Sequence, residues 1–125
     1  MKNLFFFFFI LFSNCNQNQN LNIEPNKVYD LLSNNNKNNS ILLDVRTEEE
    51  FIESKINNSL NIDFYSDNFK ISILSLDKSK TYYVYCRSGR RSLNTVEFMR
   101  ENGFSKSYNV DGGIIKWTDL NLPLK

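Results

Sequence analysis

The heptapeptide Cys86-Arg87-Ser88-Gly89-Arg90-Arg91-Ser92 brings one thiol and three guanidinium groups together directly after the apolar run Tyr82-Tyr83-Val84-Tyr85. A short apolar run of this kind reads as a buried strand, so the thiol stands where the strand ends and a loop opens. Gly89 gives that loop the freedom to turn sharply. A loop curled over a helix N-terminus points several backbone N–H groups inward and adds the positive end of the helix dipole, which makes a pocket for an anion. The same features, with neighbouring Arg, lower a thiol pKa. Cys86 is therefore a candidate nucleophile that needs no separate base, and Arg87, Ser88, Gly89, Arg90, Arg91 and Ser92 are candidate binders of an anionic substrate. The chain has no histidine. That excludes Cys-His dyads, Ser-His-Asp triads and His-ligated metal centres, and nothing in the sequence calls for a cofactor or a metal.

The elements that must hold this loop follow from the patterning. Glu24-Pro25 opens a helix with Val28, Leu31 and Leu32 on one face, and Ser33 to Asn39 is a loop. Ile41 to Val45 reads as a strand. Thr47-Glu48-Glu49-Glu50 is a capping box that starts a helix running to about Ser54, with Phe51 and Ile52 expected to face inward. Ser59 to Ile62 is a further short strand, and Asn68 to Leu76 has mixed helical and irregular character. Thr81 to Tyr85 is the clearest strand. Ser92 is expected to cap a helix reaching Asn102-Gly103, with Leu93, Val96 and Met99 on its inner face. Lys106 to Val110 is a strand, Gly112-Gly113 a turn, and Ile114 to Leu120 a last short helix. Strands alternating with helices predict an α/β fold, a parallel β-sheet of about five strands with helices on both faces. In such sheets ligands bind beyond the carboxyl ends of the strands, which is where Cys86 falls.

Three ordered blocks carry a resemblance: Leu43-Asp44-Val45-Arg46 followed by Glu49-Glu50-Phe51; Val84-Tyr85 with the cysteine heptapeptide; and Asp111-Gly112-Gly113-Ile114 with Trp117 and Leu122-Pro123. Over about Glu24 to Leu124 the chain resembles a single-domain rhodanese, a thiosulfate sulfurtransferase-like protein. The resemblance implies that Cys86 attacks the outer sulfur of a small anionic sulfur donor such as thiosulfate, releasing sulfite and forming a persulfide. It further implies that the loop N–H groups cradle the persulfide, that Arg87, Arg90 or Arg91 holds the donor, and that a thiol, on a redox protein for example, or cyanide takes the sulfur away. Asp44 and Arg46 would brace the site without reacting. Ser54-Lys55-Ile56-Asn57-Asn58-Ser59 departs from the family's Gly-His-Ile-Pro-Gly-Ala at that place, and a different local turn is expected there.

Two rival readings keep the same thiol. A phosphatase or arsenate reductase on the related cysteine-loop architecture usually has Arg after five intervening residues, where this chain has Ser92, with Arg91 one residue early. The other rival is a non-catalytic rhodanese-like binding module or persulfide carrier.

At the N-terminus, Met1 to Asn14 holds Lys2 and then the apolar run Leu4 to Phe12, which is of signal-peptide length and short for a membrane span. Ser13-Asn14-Cys15 resembles a bacterial lipoprotein signal, although Asn14 and Phe12 replace its usual residues. It implies acylation of Cys15, a polar tether over 15–23, a domain over 24–125, and an exported protein held at the cell envelope or in the periplasm by a lipid anchor. A plain cleaved signal is the alternative. Lys2 is the only charge in residues 1–14, so the remainder of a chain with 15 basic and 14 acidic residues is formally neutral, and no nucleic-acid partner is expected. The dense asparagine stretches are read as exposed linker and loop composition.

Overall fold

The computed structural model describes residues 20–34 and 39–125, and the leader and Cys15 lie outside them. In chain order the elements are β1 (Asn22–Ile23), α1 (Pro25–Asn34), β2 (Ser40–Asp44), α2 (Glu48–Glu53), β3 (Leu60–Asn61), α3 (Phe69–Leu74), β4 (Thr81–Tyr85), α4 (Arg90–Glu101), β5 (Ser107–Val110) and α5 (Gly113–Asp119). The five strands form one sheet in the order β1-β5-β4-β2-β3, and every pairing is parallel. The sequence expectation of a parallel α/β sheet of about five strands covered on both faces is met.

Strand alternation divides the core in two. Leu43, Val45, Tyr82, Val84 and Cys86 point to one face, where Phe69 and Ile73 of α3 and Val96 and Met99 of α4 cover them. Leu42, Tyr83, Tyr85 and Val110 point to the other, under Val28 of α1 and Ile114 and Trp117 of α5. The central strands β2 and β4 are buried on both sides, which is why they appear in the sequence as unbroken apolar runs. All strands run the same way, so the segments following β2, β3, β4 and β5 gather at one rim.

Four local expectations differ from the structure. Ile52 does not face inward but is 72% exposed. With only six residues, α2 buries none of its side chains fully; Phe51 is half-buried, with the Lys55 ammonium over its ring. Ser92 does not cap α4. The helix begins at Arg90 with Gly89 as its N-cap in the left-handed region, and Ser92 is buried in the first turn. Gly112 caps α5, and Gly113, expected to be part of a turn, is its first residue. Finally, Asn22–Ile23, within the stretch read as a tether, pairs with Asn109 and Val110 as an edge strand.

Candidate active site

Cys86 follows the last residue of β4 and is 1% exposed. Its Sγ accepts hydrogen bonds from the Gly89 N–H at 3.1 Å and from the Ser92 hydroxyl at 3.2 Å. Gly89 can turn the chain back over the thiol because it adopts φ 104°, a conformation that side chains disfavour. Burial pushes the Cys86 thiol up, but the Ser92 hydroxyl and the N–H groups of Ser92, Gly89 and Ser88 together outweigh it and bring the pKa below its usual value. The loop therefore stabilises the thiolate mainly with its own donors.

The loop is held from behind by α5. The Ile114 N–H donates to the Cys86 carbonyl at 2.9 Å and the Ile115 N–H to the Arg87 carbonyl at 3.2 Å, so the first turn of one helix fixes the backbone that launches another. Gly113 makes this approach possible. A Cβ there would run into the carbonyls of Arg87 and Cys86, and its φ is also positive, at 61°. The sequence signal for this was the second glycine of Gly112-Gly113, which a turn alone does not require.

The three arginines are placed differently. Arg91 forms a fork with Glu50 of α2, at 2.8 and 3.0 Å, and its guanidinium lies 5.7 Å from the Tyr65 ring centre. The Glu50 carboxyl is held at about 2, chiefly by the hydrogen bond from Arg91, while Arg91 itself is raised, first by its bond to Glu50 and more weakly by Cys86. Glu50 also completes the capping box, accepting from the Thr47 N–H and hydroxyl. Arg87 and Arg90 are exposed. Arg87 lines a cleft of about 350 Å³ with Arg46, Glu53, Ile114, Ile115 and Asp119.

Asp44 and Arg46 sit at the end of β2, beside the end of β4, as a buried fork-to-fork pair with a closest approach of 2.7 Å. Arg46 also donates to the Ser54 carbonyl at 2.6 Å and stacks 5.6 Å from the Tyr85 ring centre. Tyr85 in turn accepts from the Ile56 N–H and meets the Ser59 hydroxyl. This pair ties β2 to the unusual Ser54 to Ser59 segment, where Asn58 takes a positive φ of 63°. Sequence reasoning missed Glu50, Gly113 and also Asn109, whose side chain reaches the Gly89 carbonyl.

What the loop can do is close a ring of donors around one sulfur at the N-terminus of a twelve-residue helix. The family model described as Rhodanese-like domain matches residues 24–120. The chain belongs to the rhodanese-like family. This rhodanese-like domain is 41% identical over 82 residues to YtwF of Bacillus subtilis, a candidate sulfurtransferase by name, covering 66% of this chain and 77% of that one. It is 30% identical over 84 residues to a protein of Allochromatium vinosum named sulfurtransferase, covering 67% and 77%. Among solved structures, a rhodanese-related protein of Thermoplasma volcanium superposes with a TM-score of 0.71 at 32% identity, covering 83% of this chain and 96% of that one. A rhodanese-like domain protein of Staphylococcus aureus gives 0.68 at 30% identity, with 77% and 89% covered.

Proposed function

We propose that this rhodanese-like domain is a sulfurtransferase that carries sulfane sulfur on Cys86, with thiosulfate or a similar small anion as donor. The Cys86 thiolate attacks the outer sulfur of thiosulfate; the donor's S–S bond breaks and sulfite leaves with the bonding electron pair. The new outer sulfur carries the negative charge and lies in the ring of N–H groups from Arg87 to Ser92. An acceptor thiolate then attacks that sulfur, Cys86 departs as thiolate, and the acceptor becomes a persulfide; cyanide in the same role leaves as thiocyanate. Arg87 and Arg90, both exposed beside the thiol, receive the donor, while Asp44 and Arg46 brace the strand end.

The observation that carries this reading is the pair of hydrogen bonds from Gly89 and Ser92 to the Cys86 sulfur. They stabilise the thiolate directly, so that no separate base is required. A phosphatase reading is disfavoured by the same geometry, because Arg91 is engaged by Glu50 and Ser92 faces the sulfur. The test is sulfite release from thiosulfate in the presence of cyanide or a thiol, together with intact mass after thiosulfate alone. Turnover with a gain of one sulfur atom, absent in Cys86→Ser, is the expected result. Phosphatase activity without sulfite release replaces the reading, and a persulfide that no small acceptor discharges makes the domain a carrier for a partner thiol.

The leader and Cys15 support a further part of the proposal: export and a lipid anchor at the cell envelope, with the domain joined through a short polar tether. Incorporation of a fatty-acid probe into wild type, lost in Cys15→Ala, is the expected outcome; equal labelling of both proteins overturns it.

A further inference from the structure

Asn109 lies on β5, next to β4, and is 3% exposed. Its neighbour Val110 packs under α5, so Asn109 points to the opposite side of the sheet, toward the start of α4. Its Nδ2 donates to the Gly89 carbonyl at 3.3 Å and to Asn22 Oδ1 at 2.9 Å. Its Oδ1 is buried with no hydrogen-bond partner among the described residues. A buried amide with half of its capacity unmet is costly where valine, as at Val84 and Val110, would sit at no such cost. Two bonds offset that cost, and one of them reaches the cysteine loop. The Gly89 carbonyl can only accept, which fixes the end of the amide that faces the loop.

Gly89 has φ 104° and ψ −4°, and its N–H is one of the donors to Cys86 Sγ. Its carbonyl also accepts from the Leu93 N–H at 3.1 Å, in the first turn of α4. Glycine in this region has no side chain to hold its torsions, so the orientation of its N–H depends on what grips the residue. The Asn109 amide lies against it, with Nδ2 3.6 Å from where a Cβ would stand. We infer that Asn109 is a positioning residue for the reacting thiolate: it clamps the Gly89 carbonyl so that the Gly89 N–H stays aimed at Cys86 Sγ, and Asn22 of β1 orients the amide that does so. The inference rests on the reading of Cys86 as the reacting thiol, and it links the edge strand nearest the tether to the sulfur through three residues.

The test uses the whole chain and reads the thiol directly, by the pH dependence of Cys86 alkylation with iodoacetamide, so that it holds even if sulfur transfer is not observed. In Asn109→Val, Arg87, Arg90, Arg91 and Glu50 are unchanged, and any displacement of the profile reports on the loop donors. We expect a folded protein whose alkylation profile moves to higher pH, with the rate at neutral pH reduced about tenfold. Asn22→Ala leaves the Gly89 contact in place and keeps a rate much closer to wild type. An amide that merely stitches β1 to β5 would lower the melting temperature in both variants and move neither profile, and that result overturns the inference. A second measurement needs no variant. The Asn109 side-chain amide resonances of 15N-labelled wild type shift when Cys86 is alkylated; resonances that stay in place also overturn it.

Discussion

Ser92 contributes both its hydroxyl and its backbone N–H to the Cys86 sulfur, so it is the residue on which thiolate stability depends most after the cysteine itself. A hydrogen bond to a charged group contributes about 1.5–3 kcal/mol. Ser92→Ala keeps the N–H and loses the hydroxyl, and the thiol rises toward its unperturbed value. Persulfide formation near neutral pH should slow by about tenfold or more, whereas the rate at a pH high enough to ionise the variant thiol should recover; stopped-flow sulfite release across pH distinguishes the two. At this scale the sequence was informative wherever the chemistry was contiguous. The thiol, its glycine and its arginines occur within one heptapeptide. The partner of Arg91 was not legible, because Glu50 is 41 residues away and belongs to a capping box that accounts for it without any further role. Asn109 was hidden for a similar reason: one polar residue in a short strand does not reveal which loop it will touch.

Among the elements, α5 has the tightest constraint. Its first turn donates to two carbonyls of the cysteine loop, and only glycine at position 113 permits the approach. Gly113→Ala places a methyl group against that backbone in a left-handed conformation. It should cost about 1–3 kcal/mol in strain and displace the loop, so that sulfur transfer falls more steeply than stability. Gly103→Ala is the control. Its φ is also positive, at 91°, but a Cβ there meets only the Lys78 side chain at 3.5 Å. Thermal melts and initial rates on both variants should show a loss of stability in each and a large loss of rate in Gly113→Ala alone. The strands buried on both faces were readable because burial writes a continuous apolar run. β1 was not, since two residues acquire strand geometry only from the β5 edge on which they lie. The exposure of Ile52 was unreadable for a related reason: a helix too short for two full turns is oriented by its ends, here by the Thr47–Glu50 box and Arg91, before its apolar residues can choose a face.

Across the whole molecule, the Glu50–Arg91 fork joins α2 to α4 over the rim and gives stability a defined acid limb. The Glu50 carboxyl is held at about 2 against an ordinary 4.5. A depressed carboxylate contributes its stability above the unfolded value and loses it as pH falls toward the folded one. Partly exposed, the pair contributes about 1 kcal/mol. The melting temperature of Glu50→Gln should therefore lie below wild type near neutrality, with the gap closing as the pH falls from about 4.5 toward 2; a gap that persists unchanged to the lowest pH would assign it to the capping box instead. The burial of Cys86 has a consequence of another kind. Joining two copies through a disulfide requires their Cβ atoms to come within about 4 Å, and Cys86, a residue 1% exposed beneath its own loop, cannot offer that approach to a second folded copy while the loop is folded. Addition of one sulfur extends the reactive end by about 2 Å, beyond the position of the bare thiol. Under the proposed function, the empty domain would resist oxidative dimerisation and the loaded one would hold its sulfur about 2 Å nearer an acceptor, so its own cargo would serve as its key.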